Sequence, residues 1–362
     1  MPKTVLVIHP GSLGDVLLAV PALQRLRAGY PNHRYVLASH EPVGRLLSEC
    51  NVVEEWVSFE TGAIRDLLFG EESFPSSEKY SWIQDCELAI GWLKDDDGLI
   101  EKRLKMRGIG HVRIRSPFDP TVTATHQSDR FCEAIGQRGH GPAVVPRIPV
   151  PSVLKQSGEM CLAKRGIALD RPMVMIHPGS GSRAKCTRPE ALASVIDELK
   201  NAETQCLLLE GPADREAVKA IVEKIGRPLP VLRDTDLTTV AGALLRARVY
   251  IGHDSGITHL AGLLRVPTVA LFGPTDPARW APKGSHVIVL HAGPCKCPSW
   301  EHVTACSERV CLAISPEQIL DAWRKHEQSI IKSQDHHPDS TLSPPDPCAK
   351  VARSFSPSLL RT

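Results

Sequence analysis

The sequence predicts an α/β protein made of two similar halves, each with a parallel β-sheet covered by helices. The segment TVLVIHPGSLGDVLLAVPALQRLRAGY, residues 4–30, is a short apolar run followed by a glycine-containing loop and a helical pattern, which is typical of a strand-to-helix connection. The segment PMVMIHPGSGSRAK, residues 172–185, repeats that opening. Strands that alternate with helices pair in parallel, so we expect one such sheet in each half.

In the first half, apolar runs alternate with segments of helical spacing. The predicted helices are residues 15–30, interrupted by Pro21, and residues 41–50. This alternation indicates βαβ units, and the pattern then becomes less regular until about residue 130. The predicted strands are residues 4–9, 33–40 and 52–59.

The second half restarts the alternation at residue 172 and continues it to residue 326. Each unit reads as a strand, a glycine-containing turn and a helix, or as part of that series. The segments are residues 206–226, 236–247, 248–264, 266–277 and 315–326.

A proline-rich segment, residues 142–158, separates the halves. It predicts a linker, because proline fixes φ and removes a backbone donor. We therefore predict an N-terminal Rossmann-like domain at residues 1–155 and a C-terminal one at residues 156–326. Residues 327–362 are rich in serine and proline without periodicity, so we expect a disordered tail there.

Charge and hydrophobicity exclude some classes of protein. Forty-three basic and 41 acidic residues leave a formal net charge of +2, so no electrostatic argument for a nucleic-acid partner follows. No run approaches the roughly eighteen apolar residues of a spanning helix, and we expect a cytoplasmic protein with peripheral membrane contact left open. The first strand-to-helix turn lacks G-x-G-x-x-G, so we expect no dinucleotide cofactor.

Two loops of the second half carry groups that suit a phosphorylated ligand. In HPGSGSRAK, Ser180 and Ser182 supply hydroxyls and Lys185 a positive charge, and backbone N–H groups at a helix start favour an anion. An ordinary turn with a solvated lysine is the alternative. In GHDSGITHLAG, a ligand site competes with a simpler interpretation, a capping aspartate and a core histidine. Its candidate residues are Asp254, Ser255, Gly256 and His259.

The opening loop, HPGSLGDV, places a carboxylate at the end of the first strand. Ser12, Gly14 and Asp15 follow that strand, and ligands of parallel α/β sheets bind at the carboxyl ends of the strands. Ser12 and Asp15 also have the spacing of a capping box, which is the structural alternative. We expect this loop to face the cleft between the two domains.

Four of the eleven cysteines are clustered in GPCKCPSWEHVTACSERVC. A structural zinc site is one interpretation, although C-x-C with C-x4-C is not a standard zinc-ribbon spacing. A loop of reduced thiols is the other. The four are Cys295, Cys297, Cys306 and Cys311.

The three loops together resemble glycosyltransferase family 9, the heptosyltransferases that build the lipopolysaccharide core. The family's opening S-L-G-D is present at residues 12–15 and is followed by Pro21. Its second segment, a strand, a loop of small residues and a lysine, is present here with Lys185. Its third, D-S-G-x-x-H-x-A and then V-P-T-x-x-L-F-G-x-T-D-P, matches residues 254–261 and 266–277. The resemblance covers roughly residues 3 to 325.

This resemblance implies a GT-B fold, in which two Rossmann-like domains with parallel sheets face a central cleft and the C-terminal domain holds a nucleotide-sugar donor. It also implies an inverting transfer without a catalytic metal or other cofactor. Asp15 would act as general base on the acceptor hydroxyl, while Lys185 and the helix start at residues 254–256 would neutralise the leaving diphosphate. Ser180, Ser255 and His259 would contact phosphate or sugar.

Two details of the donor site stay open at this level. The family binds the donor's ribose with an acid after the strand of residues 206–210, and both Asp214 and Glu216 fit that description. The family also often shows K-x-W-P, whereas this chain reads K-C-T-R-P from Lys185, without tryptophan. The motif therefore does not fix the donor's base.

The sequence thus predicts an inverting glycosyltransferase that moves a sugar, with heptose from ADP-heptose expected, to a lipopolysaccharide core or related glycan acceptor. The alternative is a non-catalytic nucleotide-sugar-binding module, which would not need Asp15. Basic residues of the first half suit a phosphorylated glycolipid or form a solvated edge. They are Arg103, Lys105, Arg107, Arg113 and Arg115.

Overall fold

The computed structural model describes residues 2–70, 82–118, 124–136 and 146–335. Within these ranges the chain forms two parallel sheets with helices packed on them. Among the described residues, no helix is both long enough and apolar enough to cross a membrane.

The first sheet has five parallel strands in the order β3-β2-β1-β4-β5. Strand β1 is central and its five residues are buried and mostly apolar, as expected for a parallel strand covered on both faces. The strands are β1 (Thr4–Ile8), β2 (Arg34–Ser39), β3 (Glu55–Ser58), β4 (Cys86–Trp92) and β5 (His111–Arg115). The helices are α1 (Leu13–Leu18), α2 (Val20–Gly29), α3 (Glu41–Glu49), α4 (Gly62–Phe69), α5 (Leu99–Met106) and α6 (Gln127–Ala134).

The second sheet has six parallel strands in the order β11-β10-β9-β6-β7-β8. The strands are β6 (Met173–His177), β7 (Gln205–Glu210), β8 (Val231–Arg233), β9 (Val249–His253), β10 (Thr268–Phe272) and β11 (Val287–His291). The helices are α7 (Ser152–Ala163), α8 (Pro189–Asn201), α9 (Arg215–Ile225), α10 (Leu237–Leu244), α11 (Gly256–Leu263), α12 (Pro277–Trp280), α13 (Trp300–Ala305) and α14 (Pro316–Asp335). Short 3-10 turns span Arg183–Lys185 and Val310–Leu312.

In each sheet the strand order reverses beside the strand that opens the half. The reversal lies between β1 and β4 in the first sheet and between β6 and β9 in the second. At such a point the helices after the two strands lie on opposite faces and leave a crevice at the carboxyl edge. The loops after β1, β6 and β9 therefore lie at crevices, as the sequence predicts.

The predicted helix of residues 15–30 is two helices. Ser12 caps α1, which starts before Asp15 and ends at Leu18, with Ala19 as its C-cap. Pro21 lies at the start of α2, where its missing N–H costs no hydrogen bond. The proline thus begins a new helix rather than bending a continuous one.

The predicted linker is only partly irregular. Residues 142–145 lie outside the described residues, and residues 152–158 form the first turns of α7. This helix packs closely on α10, since a Cβ added to Gly158 would lie 2.2 Å from the carbonyl carbon of Gly242. The predicted domain boundary at residue 155 falls inside α7 and stays a prediction.

Helix α14 reaches Asp335, so the start of the predicted tail at residues 327–335 is helical. Residues 336–362, the rest of that prediction, lie outside the described residues. The described residues up to His326 form one compact unit. His126, the cap of α6, contributes to this unit by bonding through Nε2 to the carbonyl oxygen of Ala281, at 2.9 Å.

Candidate active site

The loops that begin α1 and α11 touch each other. A Cβ added to Gly14 would lie 3.3 Å from Cδ2 of His259, and one added to Gly256 would lie 2.6 Å from Cγ of Leu13. A side chain at Gly256 would therefore collide with Leu13, so glycine allows the close approach. The contact joins the crevice of the first sheet to that of the second.

On the first-sheet side, a cavity of about 1080 Å³ opens at the carboxyl ends of β1, β4 and β5. Its wall combines aromatic rings with charged groups of both signs, a composition that suits a carbohydrate. The side chains that carry this character are Asp15, Trp92, Arg115, Phe118, Arg130 and Phe131.

Asp15 lies in the first turn of α1, where its carboxylate completes the predicted capping box. The hydroxyl of Ser12 donates to Oδ2 at 2.8 Å, and the backbone N–H of Ser12 donates to the same oxygen at 3.2 Å. The capping and functional interpretations are compatible, because these bonds fix a carboxylate that also lines the cavity. Ser12 thus orients Asp15 towards a place where a substrate can reach it.

On the second-sheet side, Lys185 and Asp254 form an ion pair. Nζ of Lys185 donates to Oδ2 of Asp254 at 2.8 Å, and the hydroxyl of Thr275 donates to the same oxygen at 2.7 Å. The hydroxyl of Ser180 donates to the carbonyl oxygen of Asp254 at 2.5 Å. The three predicted residues therefore meet in one cluster, which Thr275, from the predicted turn after β10, completes.

His259 is buried behind this cluster, on the side that faces Gly14. Burial lowers the pKa of His259 to about 4, against the opposing charges of Asp254 and Asp15. Its Nε2 lies 3.9 Å from Oδ1 of Asp254. The ring is therefore neutral at physiological pH, so it acts as a hydrogen-bonding group rather than as a cation.

Ser255 and Ser182 are helix-capping residues in this structure. Ser255 caps α11, and its hydroxyl also donates to Nδ1 of His177 at 3.2 Å. Ser182 accepts the backbone N–H of Ala184 at 3.3 Å. Both hydroxyls therefore stabilise the loops that hold the Lys185 cluster.

Asp214 is buried and is bonded within the fold through one of its carboxylate oxygens. Its Oδ2 accepts a hydrogen bond from Nε2 of His177 at 2.9 Å and one from the N–H of Gly211 at 2.8 Å. Burial by itself would raise the pKa of Asp214, but the hydrogen bond and charge of His177 and the Gly211 N–H hold it below its usual value. This carboxylate is a poor candidate for the ribose.

Replacing this carboxylate should destabilise the protein in a pH-dependent way. Asp214→Asn should lower the free energy of unfolding by about 2 kcal/mol at pH 7, because a buried, charge-assisted hydrogen bond is weakened. A carboxyl whose pKa is depressed by folding stabilises the native state above its unfolded pKa of about 3.9 and ceases to do so as the pH falls. Denaturant unfolding of both proteins should show a difference that is constant above about pH 5 and shrinks below pH 4. A difference that is as large at pH 3 as at pH 7 would contradict this account.

Glu216, unlike the buried Asp214, is exposed and lies in the first turn of α9. Its carboxylate pairs with Arg183, and both side chains are largely exposed. They border a groove of about 230 Å³ that also contacts Ser180, Thr187 and Arg309. Asp214 also lines this groove, but Glu216 is by far the more exposed of the two acids left open by the sequence.

The cysteine-rich segment lies beside the Lys185 loop. The four thiols are half-buried, and Cys297 lies within hydrogen-bond reach of Cys295 and Cys306. In the part of the chain that the structure describes, no three His, Cys, Asp or Glu side chains are arranged to hold a metal ion. The zinc interpretation stays a prediction.

The same segment brings an aromatic ring to the donor side. The ring of Trp300 lies 5.9 Å from Nζ of Lys185, and the guanidinium of Arg309 donates to the carbonyl oxygen of Arg183 at 3.4 Å. Trp300 is 46 % exposed. It therefore places a tryptophan near Lys185, although K-x-W-P is missing from the sequence.

Of the basic residues predicted for an acceptor, Arg115 alone lines the large cavity. Arg113 shares its face of β5, as the alternation predicts, but lies against Gly136. The remaining three lie on α5 or its end and bond elsewhere. Arg103 donates to the carbonyl of Leu68, Lys105 pairs with Glu101, and Arg107 donates to the carbonyl of Asp66.

Some residues of the site are not among those that the sequence motifs single out as functional. His9, Trp92, Arg130 and Phe131 line the cavity, and they come from the end of β1, the end of β4 and α6. The position of Trp92 at a strand end would be a usable signal if β4 were recognised. The others could be found only from the packing of α6 against α1 and α2.

Comparison with known proteins matches the sequence-based expectation. The model of glycosyltransferase family 9 (heptosyltransferase) matches residues 145–307. Lipopolysaccharide heptosyltransferase 3 of Escherichia coli K12 is 28% identical over 158 residues, which are 42% of this chain and 45% of the relative. The chain thus matches less than half of that relative's length.

Other similarities extend over most of the chain. The lipopolysaccharide core heptosyltransferase OpsX of Haemophilus influenzae is 24% identical over 305 residues, 78% of this chain and 82% of the relative. The solved structure of ADP-heptose lipopolysaccharide heptosyltransferase II of E. coli is 19% identical, with a TM-score of 0.70 over 91% of this chain and 99% of that one. The two parallel sheets are therefore those of a GT-B fold, and in sequence the chain is similar to the heptosyltransferases of glycosyltransferase family 9.

Proposed function

We propose that the chain is an inverting glycosyltransferase that moves heptose from ADP-heptose to a lipopolysaccharide core or related glycan acceptor. One observation carries the proposal. A carboxylate at the wall of a large cavity, Asp15, belongs to a loop that contacts the start of α11, where Asp254 pairs with Lys185. A base for an acceptor and a cation for a diphosphate therefore occupy adjoining loops.

In this reaction Asp15 takes the proton of an acceptor hydroxyl as its oxygen attacks the anomeric carbon of the donor. The new glycosidic bond forms as the bond to the β-phosphate oxygen breaks, and the electron pair leaves with ADP. Attack opposite the leaving group inverts the anomeric centre. The protein supplies a fixed carboxylate on one side and positive potential on the other.

Lys185 neutralises the charge that develops on the departing diphosphate, and the backbone N–H groups at the start of α11 add to that effect. When the donor binds, its phosphate competes with Asp254 for the ammonium group. Asp254 and the neutral His259 then contact the sugar or phosphate. Ser180 positions Asp254 through its backbone, and Ser182 and Ser255 hold the loops.

The donor's ribose is assigned to Glu216, because Asp214 is used by His177 and Gly211. Glu216 is exposed and lies in the groove next to the Lys185 loop. Its pairing with Arg183 is an exposed ion pair, which contributes little to stability and is readily exchanged for a ligand. The carboxylate can then accept hydrogen bonds from ribose hydroxyls.

The acceptor is assigned to the large cavity, whose aromatic rings and arginines suit an anionic glycan. We place the reaction in the cytoplasm, at the inner face of the membrane where a lipid-linked acceptor would be presented. Contact with that membrane is peripheral in this proposal. No nucleic acid takes part, and no metal or other cofactor is required.

The test is release of ADP from ADP-heptose by the full chain, with deacylated lipopolysaccharide core fragments as acceptors. We expect turnover with ADP-heptose and much less with UDP- or GDP-linked sugars, a product of inverted anomeric configuration, and no change after treatment with EDTA. Binding of ADP-heptose without turnover across the panel would instead support a non-catalytic binding module. Activity lost on chelation and restored by a metal would overturn the metal-independent mechanism.

A further inference from the structure

Three nitrogen donors without partners share one wall of the large cavity. Nε2 of His9, Nε1 of Trp92 and Nη1 of Arg130 are each buried and have no hydrogen-bond partner among the residues that the structure describes. All three residues line the cavity that Asp15 also lines. A buried donor that stays unsatisfied costs free energy, so a concentration of them at one cavity indicates that a ligand's oxygens complete them.

His9 is held in the tautomer that donates from Nε2. The backbone N–H of Gly11 donates to Nδ1 at 3.2 Å, so this nitrogen is the acceptor of the ring. Burial lowers the pKa of His9 to about 4, against the opposing charge of Asp15. At neutral pH the ring is therefore uncharged, with its single N–H on Nε2.

The ring of His9 cannot turn easily to find another partner. Its centroid lies 5.6 Å from that of Trp92 and 5.3 Å from that of Phe131, and His9 is 1 % exposed. Packing between two aromatic rings fixes its plane. The cavity wall thus presents a donor of fixed direction rather than a mobile side chain.

The repeated IHPGS motif provides an internal comparison. In the second half, Nε2 of His177 donates to the buried carboxylate of Asp214, and Nδ1 accepts from Ser255. In the described part of the first half, His9 has a partner at Nδ1 but none at Nε2. At His177, a carboxylate oxygen of the protein accepts the hydrogen bond from Nε2. At His9, the equivalent position next to Nε2 is available to an oxygen of a ligand.

We propose that His9, Trp92 and Arg130 form a donor subsite that binds oxygens of the acceptor sugar and places its nucleophilic hydroxyl at Asp15. This inference rests on the proposed function, because it assigns the acceptor of that reaction to particular side chains. The subsite offers two neutral N–H groups and one guanidinium. It therefore selects a sugar with neighbouring hydroxyl or carboxylate oxygens and discriminates against analogues that lack them, because loss of an oxygen leaves a buried donor unpaired.

The test compares variants that keep ring shape but lose the donor. His9→Phe and Trp92→Phe should each raise the KM for core oligosaccharide about tenfold, while the dissociation constant of ADP-heptose stays unchanged. His9→Gln, whose amide nitrogen can replace Nε2, should recover most of the loss. Trp82→Phe is the matched control, because Trp82 is also buried with an unpartnered Nε1 but lies outside the cavity. Its KM should equal that of the wild type.

Two results would separate this inference from the proposed function. If the wild type turns over and KM is unchanged in both phenylalanine variants, the subsite is overturned and the transferase proposal stands. The same conclusion follows if KM rises equally in His9→Gln and His9→Phe. Saturable binding of core oligosaccharide by NMR, weakened by His9→Phe in a protein that never turns over, would uphold the subsite and overturn the transferase. A chain that neither binds nor glycosylates these oligosaccharides would overturn both.

Discussion

Asp15→Asn should lower kcat by about 10² to 10⁴ while the affinity for ADP-heptose stays within a factor of about three. Loss of a general base that acts in the transition state removes rate rather than donor binding, since the donor is assigned to the other half of the chain. The asparagine keeps an oxygen that can accept the hydrogen bonds of Ser12 at the start of α1. The fold should therefore change little, with a loss of no more than about 1 kcal/mol in unfolding free energy.

The measurement is steady-state ADP release together with calorimetric binding of ADP-heptose to the same preparations. Asp236→Asn serves as the matched control, because Asp236 also caps a helix, α10, through the N–H of Thr239 and lies outside the site. Its activity should match that of the wild type. A kcat for Asp15→Asn within threefold of the wild-type value would remove Asp15 from the mechanism.

The repeated strand openings carry most of what the sequence reveals about the fold. IHPGS after β1 and after β6 marks two crevices, and a parallel sheet forms around each of them. Local pattern is less informative where the strands are short or half-buried. The edge strand β8 has three residues and does not stand out as an apolar run, whereas β11, VIVLH, is apolar in sequence although it is only partly buried.

Proline illustrates a second limit of local pattern. Pro151 precedes the first residue of α7, so a segment that reads as a linker becomes a helix as soon as its prolines end. What holds α7 in place is its close contact with α10 at Gly158 and Gly242. That contact joins residues far apart in sequence, and periodicity carries no information about it.

For the site, the sequence identifies chemical groups but not their partners. Asp214 and Glu216 are equivalent as candidates until the structure places one against His177 and the other in solvent. His9 belongs to the repeated IHPGS motif, but the motif does not indicate a binding role, because a histidine after a strand is ordinarily a satisfied core residue. Its unpartnered Nε2 follows from the packing of Trp92 and Phe131, which only the tertiary structure provides.

Lys185→Met should lower kcat/KM for ADP-heptose by about 10² to 10³, with losses in both donor affinity and kcat. The ammonium group is the cation that pairs with Asp254, and it is only partly exposed, so its charge acts on a bound diphosphate with little screening by water. Methionine matches the lysine side chain as far as Cε and so keeps most of its packing near Trp300. The expected loss of kcat/KM therefore measures the effect of removing the positive charge of Lys185.

The variant also leaves the buried carboxylate of Asp254 without its ammonium partner, retaining the hydroxyl of Thr275. A loss of stability of about 1 to 3 kcal/mol should accompany it, so thermal unfolding must be measured beside activity. Lys219→Met is the matched control, because Lys219 is exposed on α9 and pairs only with Glu223 among the residues the structure describes. If the folded Lys185→Met protein bound ADP-heptose and turned over like this control, the diphosphate would have to be neutralised elsewhere, and Arg183 and Arg309 would be the groups to replace next.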